Sequence, residues 1–272
     1  HRDAGAAAAA GGLGLRPMPP WRRSAPRGFL LVAALGLGMG LAPPLAAAAE
    51  VVPAFAAGQT PLEWRDESRD RPIAVRVWYP VAPAARKTRR AYGPVFRSDV
   101  ATGAPYAAAG RQPLVILSHG DRGSYNDQSW LAEPLAAQGY IVAAVAHYNN
   151  TWNRNEPAAT LRLWERPLDL SFVITRLLAD PVWGPRIDPR RIGAAGHSSG
   201  GYSVLALAGA RFDPERMQRY CAGPARGPDC TRVAGVRPDP ADAPVARRSY
   251  HDPRVRAVLA MAPAVGPGVV PE

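Results

Sequence analysis

Gly196-His197-Ser198-Ser199-Gly200 sets a serine between two glycines, each two residues away. A serine hydroxyl attacks a carbonyl only if it stands clear of its own backbone. A sharp strand-to-helix turn achieves this when small residues flank the serine at this spacing. The chemistry on offer is acyl transfer, with Ser198 as nucleophile, Gly196 and Gly200 giving it room, and the amide of Ser199 aimed where an oxyanion would form. The five-residue pattern is weak alone in a chain holding 26 glycines, and its flanks decide. Arg191 to Ala195 reads as a short buried strand and Tyr202 to Ala208 as an apolar helix, so Ser198 falls at a nucleophile elbow.

Such a site needs a second oxyanion donor, drawn from the loop at the carboxyl end of the strand two before the elbow strand. Ser118-His119-Gly120-Asp121 occupies that place. Gly120 lets the backbone turn tightly, and the amide of Asp121 is the expected donor. His119 reads as a brace for its own loop rather than a proton carrier. His147 follows another strand, with Tyr148 and Trp152 nearby, and both histidines are expected to line a pocket.

The elements that must position these residues alternate in type. Ile73 to Tyr79 is expected as a strand near the sheet edge, closing at Pro80, and Val81 to Gln112 as a long connection. Leu114 to Leu117 reads as a central parallel strand, Trp130 to Gly139 as a helix stopped by its glycine, and Tyr140 to Ala146 as a buried strand. Leu161 to Leu178 is expected as one long amphipathic helix despite Pro167, and Val255 to Met261 as a last strand. Apolar strands alternating with helices imply an α/β sheet covered on both faces. No internal repeat is visible.

Leu114 to Gly120, Gly139-Tyr140-Ile141-Val142, Arg166-Pro167-Leu168-Asp169, Asp188-Pro189-Arg190-Arg191-Ile192 and Gly196 to Gly201 together resemble the α/β-hydrolase group of dienelactone hydrolase-like and platelet-activating-factor acetylhydrolase-like serine esterases. The similarity runs from about Ile73 to Pro263. It implies an α/β-hydrolase fold, a mostly parallel sheet with helices on both faces, and a cofactor-free hydrolase of small or lipid-like esters. Ser198 would be its nucleophile, and the Asp121 and Ser199 amides its oxyanion hole. Strict dienelactone hydrolases use cysteine where this chain has Ser198, so a lactone substrate is not implied. The group's order is Ser, then Asp or Glu, then His, each after a later strand. The one downstream histidine, His251, precedes the last strand, at the rim opposite the elbow, and Asp213, Asp229, Asp239, Asp242 and Asp252 serve it no better as orienters. The acid and base are therefore expected beyond Glu272, which makes the sequence a fragment whose C-terminal strands are missing and which is inactive as it stands. A hydrolase-fold binding protein without catalysis, and a peptidase or amidase on the same fold, are the rival readings.

Length and termini set the rest. Of the 272 residues, 47% are hydrophobic, ample for one core. The net charge of +11 comes from 33 basic residues, all but Lys87 arginine and scattered along the chain. The densest cluster, Arg86 to Arg90, lacks interleaved aromatics and reads as a solvated loop, not a nucleic-acid site. Residues 1–17 read as a non-native upstream segment. Residues 18–49 read as a signal peptide, with Arg22-Arg23 before an apolar run from Gly28 to Leu41 and small residues through Ala49. That run is shorter than the roughly 20 residues that span a bilayer, so export with cleavage is expected rather than a permanent anchor. Residues 50–272 form the hydrolase domain. Periplasmic or secreted placement lets Cys221 and Cys230 close a local disulfide, worth about 2.7 kcal/mol by loop entropy. Neither has the spacing of a metal site, and the oligomeric state is open.

Overall fold

The computed structural model describes residues 53–92, 96–224, 226–233 and 240–271. The expected upstream segment, the signal peptide and Asp239 lie outside these residues.

The strands are β1 (Ala56–Asp66), β2 (Arg71–Val81), β3 (Thr88–Tyr92), β4 (Phe96–Thr102), β5 (Gln112–Ser118), β6 (Ile141–Ala146), the short pair β7 (Asn150–Thr151) and β8 (Arg154–Asn155), β9 (Ile187–His197), β10 (Arg211–Phe212), β11 (Val255–Met261) and β12 (Val269–Val270). The helices are α1 (Ser129–Ala137), α2 (Pro157–Leu161), α3 (Glu165–Ala179), α4 (Ser199–Leu207), α5 (Pro214–Ala222), α6 (Pro228–Val233) and α7 (Ala243–Ala246). Eight strands make the main sheet in the order β11-β9-β5-β6-β2-β1-β4-β3. The four from β11 to β6 run parallel, and β2 turns antiparallel against β6.

Alternation along the strands feeds two layers of core. Leu114 and Ile116 of β5, Ile141, Ala143 and Val145 of β6, and Ile73, Val75 and Val77 of β2 face Leu170, Val173, Ile174 and Leu177 of α3 and Val204 of α4. Leu117, Val142, Ala144 and Trp78 point the other way, onto Ala132 and Ala136 of α1. Covering both faces is what lets the parallel strands be apolar throughout.

Three expectations change. The strand from Ile73 is interior, between β6 and β1, and it runs through Pro80. Pairing with β6 ends at Trp78, so the missing N–H of Pro80 costs no bond on that side. The connection from Val81 contains β3 and β4, an antiparallel pair joined to the sheet edge, with the basic cluster partly on exposed β3. The long helix is two, broken at 162–164, with Pro167 in the first turn of α3, where no intrahelical bond is lost.

Cys221 at the end of α5 and Cys230 in α6 form a disulfide that packs with Tyr202, Leu163, Met217 and Val265. Its loss through Cys221→Ser plus Cys230→Ser is expected to lower the thermal midpoint by roughly 5–10 °C. Calorimetry should show the same drop for the unmutated protein in reductant.

Candidate active site

β9 ends at His197 and α4 begins at Ser199, which leaves Ser198 as the whole of the turn between them. Its backbone sits at φ 55°, ψ −119°, a conformation that costs a non-glycine residue energy and persists only where the surroundings enforce it. They do so at three points. The Ser198 amide donates to the Met261 carbonyl at 3.0 Å, and the Ser198 carbonyl accepts from Ala264 at 2.9 Å and Tyr202 at 3.1 Å. A Cβ on Gly196 would collide with the Gly200 carbonyl, and one on Gly200 with the Ser118 carbonyl. The two glycines therefore let the first turn of α4 sit directly on the end of β5. Ser199, first residue of α4, carries one of the amides that a helix N-terminus leaves without an intrahelical partner.

The 119–121 backbone runs beside this turn. A Cβ on Gly120 would lie 3.4 Å from the Cβ of Ser198. Gly120 and Gly123 close a tight turn by a 3.1 Å bond, with Arg122 at positive φ and Asp121 at its corner. The Asp121 carboxylate accepts from Asn150 Nδ2 at 2.8 Å and Thr160 Oγ1 at 3.0 Å.

Behind the loop stands a buried guanidinium. Arg166 donates through Nη2 to the His119 carbonyl, through Nη1 to Asn150 Oδ1 at 2.7 Å, and through Nε to Ser203 Oγ at 3.3 Å. Ser203 belongs to α4, so one side chain ties the loop to the elbow helix. Burial pulls its pKa down to about 9, with Asp169 and Asp121 opposing that fall.

His147 and Asp169 complete a second arrangement. His147 Nδ1 lies 3.0 Å from Asp169 Oδ2, and its Nε2 lies 2.8 Å from Ser118 Oγ. An ionised carboxylate only accepts, so Nδ1 carries the proton and Nε2 accepts from the Ser118 hydroxyl. Burial, reinforced by Arg166, pulls His147 down to about 3. Burial alone would raise Asp169, but His147 and Arg71 hold it at about 2. Arg71 grips both of its oxygens at 3.1 and 3.0 Å, and Arg69 Nη1 adds a contact at 2.8 Å. Ser118, His147 and Asp169 thus form a serine–histidine–carboxylate chain, yet all three are fully buried.

The other expected residues fall as follows. His119 is buried, its Nε2 accepting from the His147 amide at 3.1 Å and its Nδ1 donating to the Gly120 carbonyl at 2.6 Å. His147 borders a cavity of only about 60 Å³. β11 is parallel to β9, with Val255 beside Ile192 and Met261 beside His197, so His251 stands at the rim opposite Ser198. The largest cavity described, about 670 Å³, lies beside β1, β2 and β7 among Trp64, Tyr125, Tyr148 and Trp152, and no residue of β9 or α4 lines it. Among the described residues, no cluster of three or more His, Cys, Asp or Glu could hold a metal ion, and no helix is long and apolar enough to cross a membrane. Arg166 and Asp169 carry roles that the sequence reading did not assign. Their signal was two opposite charges three apart on the same helical face as Leu170 and Val173.

Residues 69–156 match the family model for platelet-activating factor acetylhydrolase, isoform II. Two cutinases of Thermobifida alba, est2 and est1, are each 30% identical over 99 residues, covering 36% of this chain and 31% of the relative. A ferulic acid esterase from Streptomyces cinnamoneus aligns at 30% identity over 60% of this chain and 57% of its own, with a TM-score of 0.43. The chain spans about a third of the length of the curated relatives it matches. Its sheet order, elbow and flanking helices are those of the α/β-hydrolase fold, and its sequence is similar to these cutinases and to the acetylhydrolase model over part of its length.

His119 and His147 are both held below the ordinary value of 6.5, so the unfolded chain binds more protons than the folded one once pH drops beneath it. Stability is expected to be full above about pH 7 and to fall on acidification by up to about 1.4 kcal/mol per pH unit for each imidazole. Asp169 adds to the loss only below its ordinary 3.8. Urea midpoints between pH 7.5 and 4.5 check this, and a flat profile would contradict the buried neutral pair.

Proposed function

We propose that the chain is the hydrolase domain of an exported serine esterase that cleaves carboxylic esters through Ser198. One observation carries the reading: the Gly120 backbone passes so close to a serine held at a strained strand-to-helix corner that a Cβ on Gly120 would lie 3.4 Å from the Ser198 Cβ. Ser198 Oγ adds to the ester carbonyl as its proton passes to a general base. The carbonyl oxygen becomes an oxyanion between the Asp121 and Ser199 amides. Collapse breaks the bond to the alcohol oxygen, which takes the proton and leaves, and water then releases the acid from the acyl-enzyme. His119, His147 and His251 are excluded as that base by the positions they hold. No metal or cofactor is required. The similarity to cutinases and to the platelet-activating factor acetylhydrolase model supports ester over amide bonds. Export rests on the basic, apolar and small-residue layout of residues 18–49.

The buried Ser118–His147–Asp169 chain offers a competing nucleophile, and access argues against it: no solvent reaches Ser118. In the full-length protein, Ser198→Ala is expected to lower kcat on p-nitrophenyl acetate by at least about 10³-fold, and Ser118→Ala by less than about tenfold. A covalent fluorophosphonate adduct should map to Ser198 by mass spectrometry. Loss confined to Ser118→Ala would transfer the role, and hydrolysis surviving both changes would leave a binding protein.

A further inference from the structure

The cleft of about 670 Å³ sits over the hairpin end of β1 and β2, where Glu63 pairs with Ala74. Its walls are the loop after β5, at 124–126, and residues 148–154 beyond β6. The volume falls in the range of roughly 300–1,000 Å³ usual for small-molecule sites. The two walls are fastened together at their base. The Trp152 amide donates to the Gly123 carbonyl at 3.1 Å, and Asn150 Nδ2 donates to the Asp121 carboxylate at 2.8 Å. The cleft therefore shares a loop with the proposed oxyanion site, while the reaction proposed above uses none of its side chains.

A ring face, fixed donors and an acceptor meet in this lining. Trp152 is 75% exposed, the most exposed of the large hydrophobic side chains described, and no ring or guanidinium among the described residues stacks on it. Tyr148 is clamped by contrast, with Arg154 over its ring at 4.3 Å and Arg154 Nη2 donating to its hydroxyl at 2.6 Å. Asn149 Oδ1 accepts from Arg154 Nε at 2.7 Å and Asn153 Oδ1 from Thr151 Oγ1 at 3.0 Å, which fixes both amides. Neither Nδ2 has a partner among the described residues, and the exposed Glu63 carboxylate has none there either. Arg65 pairs with Asp70, which leaves Glu63 to balance Arg154 and the lining without net charge.

We propose that this cleft binds a neutral carbohydrate chain, with one sugar ring stacked on Trp152. One face of a pyranose carries C–H bonds, which pack on the electron-rich face of an indole. Its hydroxyls both donate and accept, so they use the amide donors of Asn149 and Asn153 and the acceptor of Glu63 together. An anion would use only the donors and meet Glu63, and a flat hydrocarbon would strip water from all three groups without replacing it. Amides already fixed in place lower the ordering cost of binding. The inference goes beyond the esterase reading and does not depend on it.

The test titrates the protein with xylohexaose, cellohexaose and mannohexaose by calorimetry. At least one is expected to bind with a Kd below about 1 mM. Trp152→Ala should weaken that binding by about tenfold or more, and Glu63→Ala by about threefold or more. Trp130→Ala, at a half-exposed position on α1 outside the cleft, should leave it unchanged. Circular dichroism checks that each variant folds, and Trp152→Gln replaces Trp152→Ala if the latter does not. Binding of none of the three sugars, binding unmoved by the changes at Trp152 and Glu63, or binding of 2-naphthoate in place of the sugars would overturn the proposal. Sugar binding lost on changing Trp152 and kept in Trp130→Ala upholds it, whether or not Ser198→Ala abolishes ester hydrolysis.

Discussion

Helix α4 rests on the end of strand β5 with no side chain between them. A Cβ at Gly200 would occupy the space of the Ser118 carbonyl, and one at Gly196 that of the Gly200 carbonyl. Everything at the carboxyl rim follows from this closeness. It forces Ser198 into its positive-φ corner, since the chain must reverse from strand to helix within one residue. It also brings the loop that leaves β5 to the side of that corner, because the helix start and the loop start share the same few ångströms of backbone. The parallel register holds the arrangement from below, with Ser118 of β5 level with Gly196 of β9. β11 holds it from the side, through Met261 on the Ser198 amide.

Such a rim costs energy, and the buried charges offset it. Arg166 gives up water to serve the His119 carbonyl, Asn150 and Ser203, an exchange that favours folding only because its hydrogen bonds are well placed. Asp169, one helical turn further on, takes Arg71, Arg69 and His147. Each group is expensive alone. Together they tie the loops after β5 and β6 to α3 and α4, whose apolar faces are already seated in the core. Both imidazoles are held below their ordinary value, first by burial and then by the positive charge of Arg166 beside them.

Local chemistry was readable from the sequence; distant packing was not. Val255–Met261 matches β11 to the residue, although β11 is a half-exposed edge strand, and β5 and β6 lie where apolar runs put them, because buried parallel strands leave an unmistakable mark. The three strands beyond β2, namely β1, β4 and β3, were not read from the sequence. β3 is exposed along nearly its whole length, with arginines at consecutive positions, so no alternation marks it, and its pairing with β4 is what makes it a strand. The break between α2 and α3 was hidden for the opposite reason: Leu161, Leu163 and Trp164 continue an apolar pattern while packing on a different neighbour, the Met217 cluster, than Leu170 does. At the site, glycine spacing announced Ser198. The linking of Arg166 to His119 and of Asp169 to His147 spans 47 and 22 residues, and no local pattern encodes such partners.

Two serines here meet part of the description of a nucleophile, and the contrast separates geometry from function. Ser118 has the hydrogen-bonded histidine and carboxylate that activate a hydroxyl, but its oxygen is sealed under Gln128, whose amide occupies the Ser118 carbonyl at 2.9 Å, and under α4. Burial, reinforced by Arg166, holds His147 far below an ordinary imidazole, which makes it a poor acceptor of the proton on which attack depends. Ser198 is partly exposed on a strained turn at the start of α4, where the amides of a helix N-terminus are the kind of donor that stabilises an oxyanion. Oxyanion stabilisation acts on a substrate that can enter, whereas a relay without access acts on nothing. The buried chain is better explained as scaffolding: by holding the end of β5 through Ser118 and the start of α3 through Asp169, it keeps the loop that leaves β5 beside the Ser198 turn.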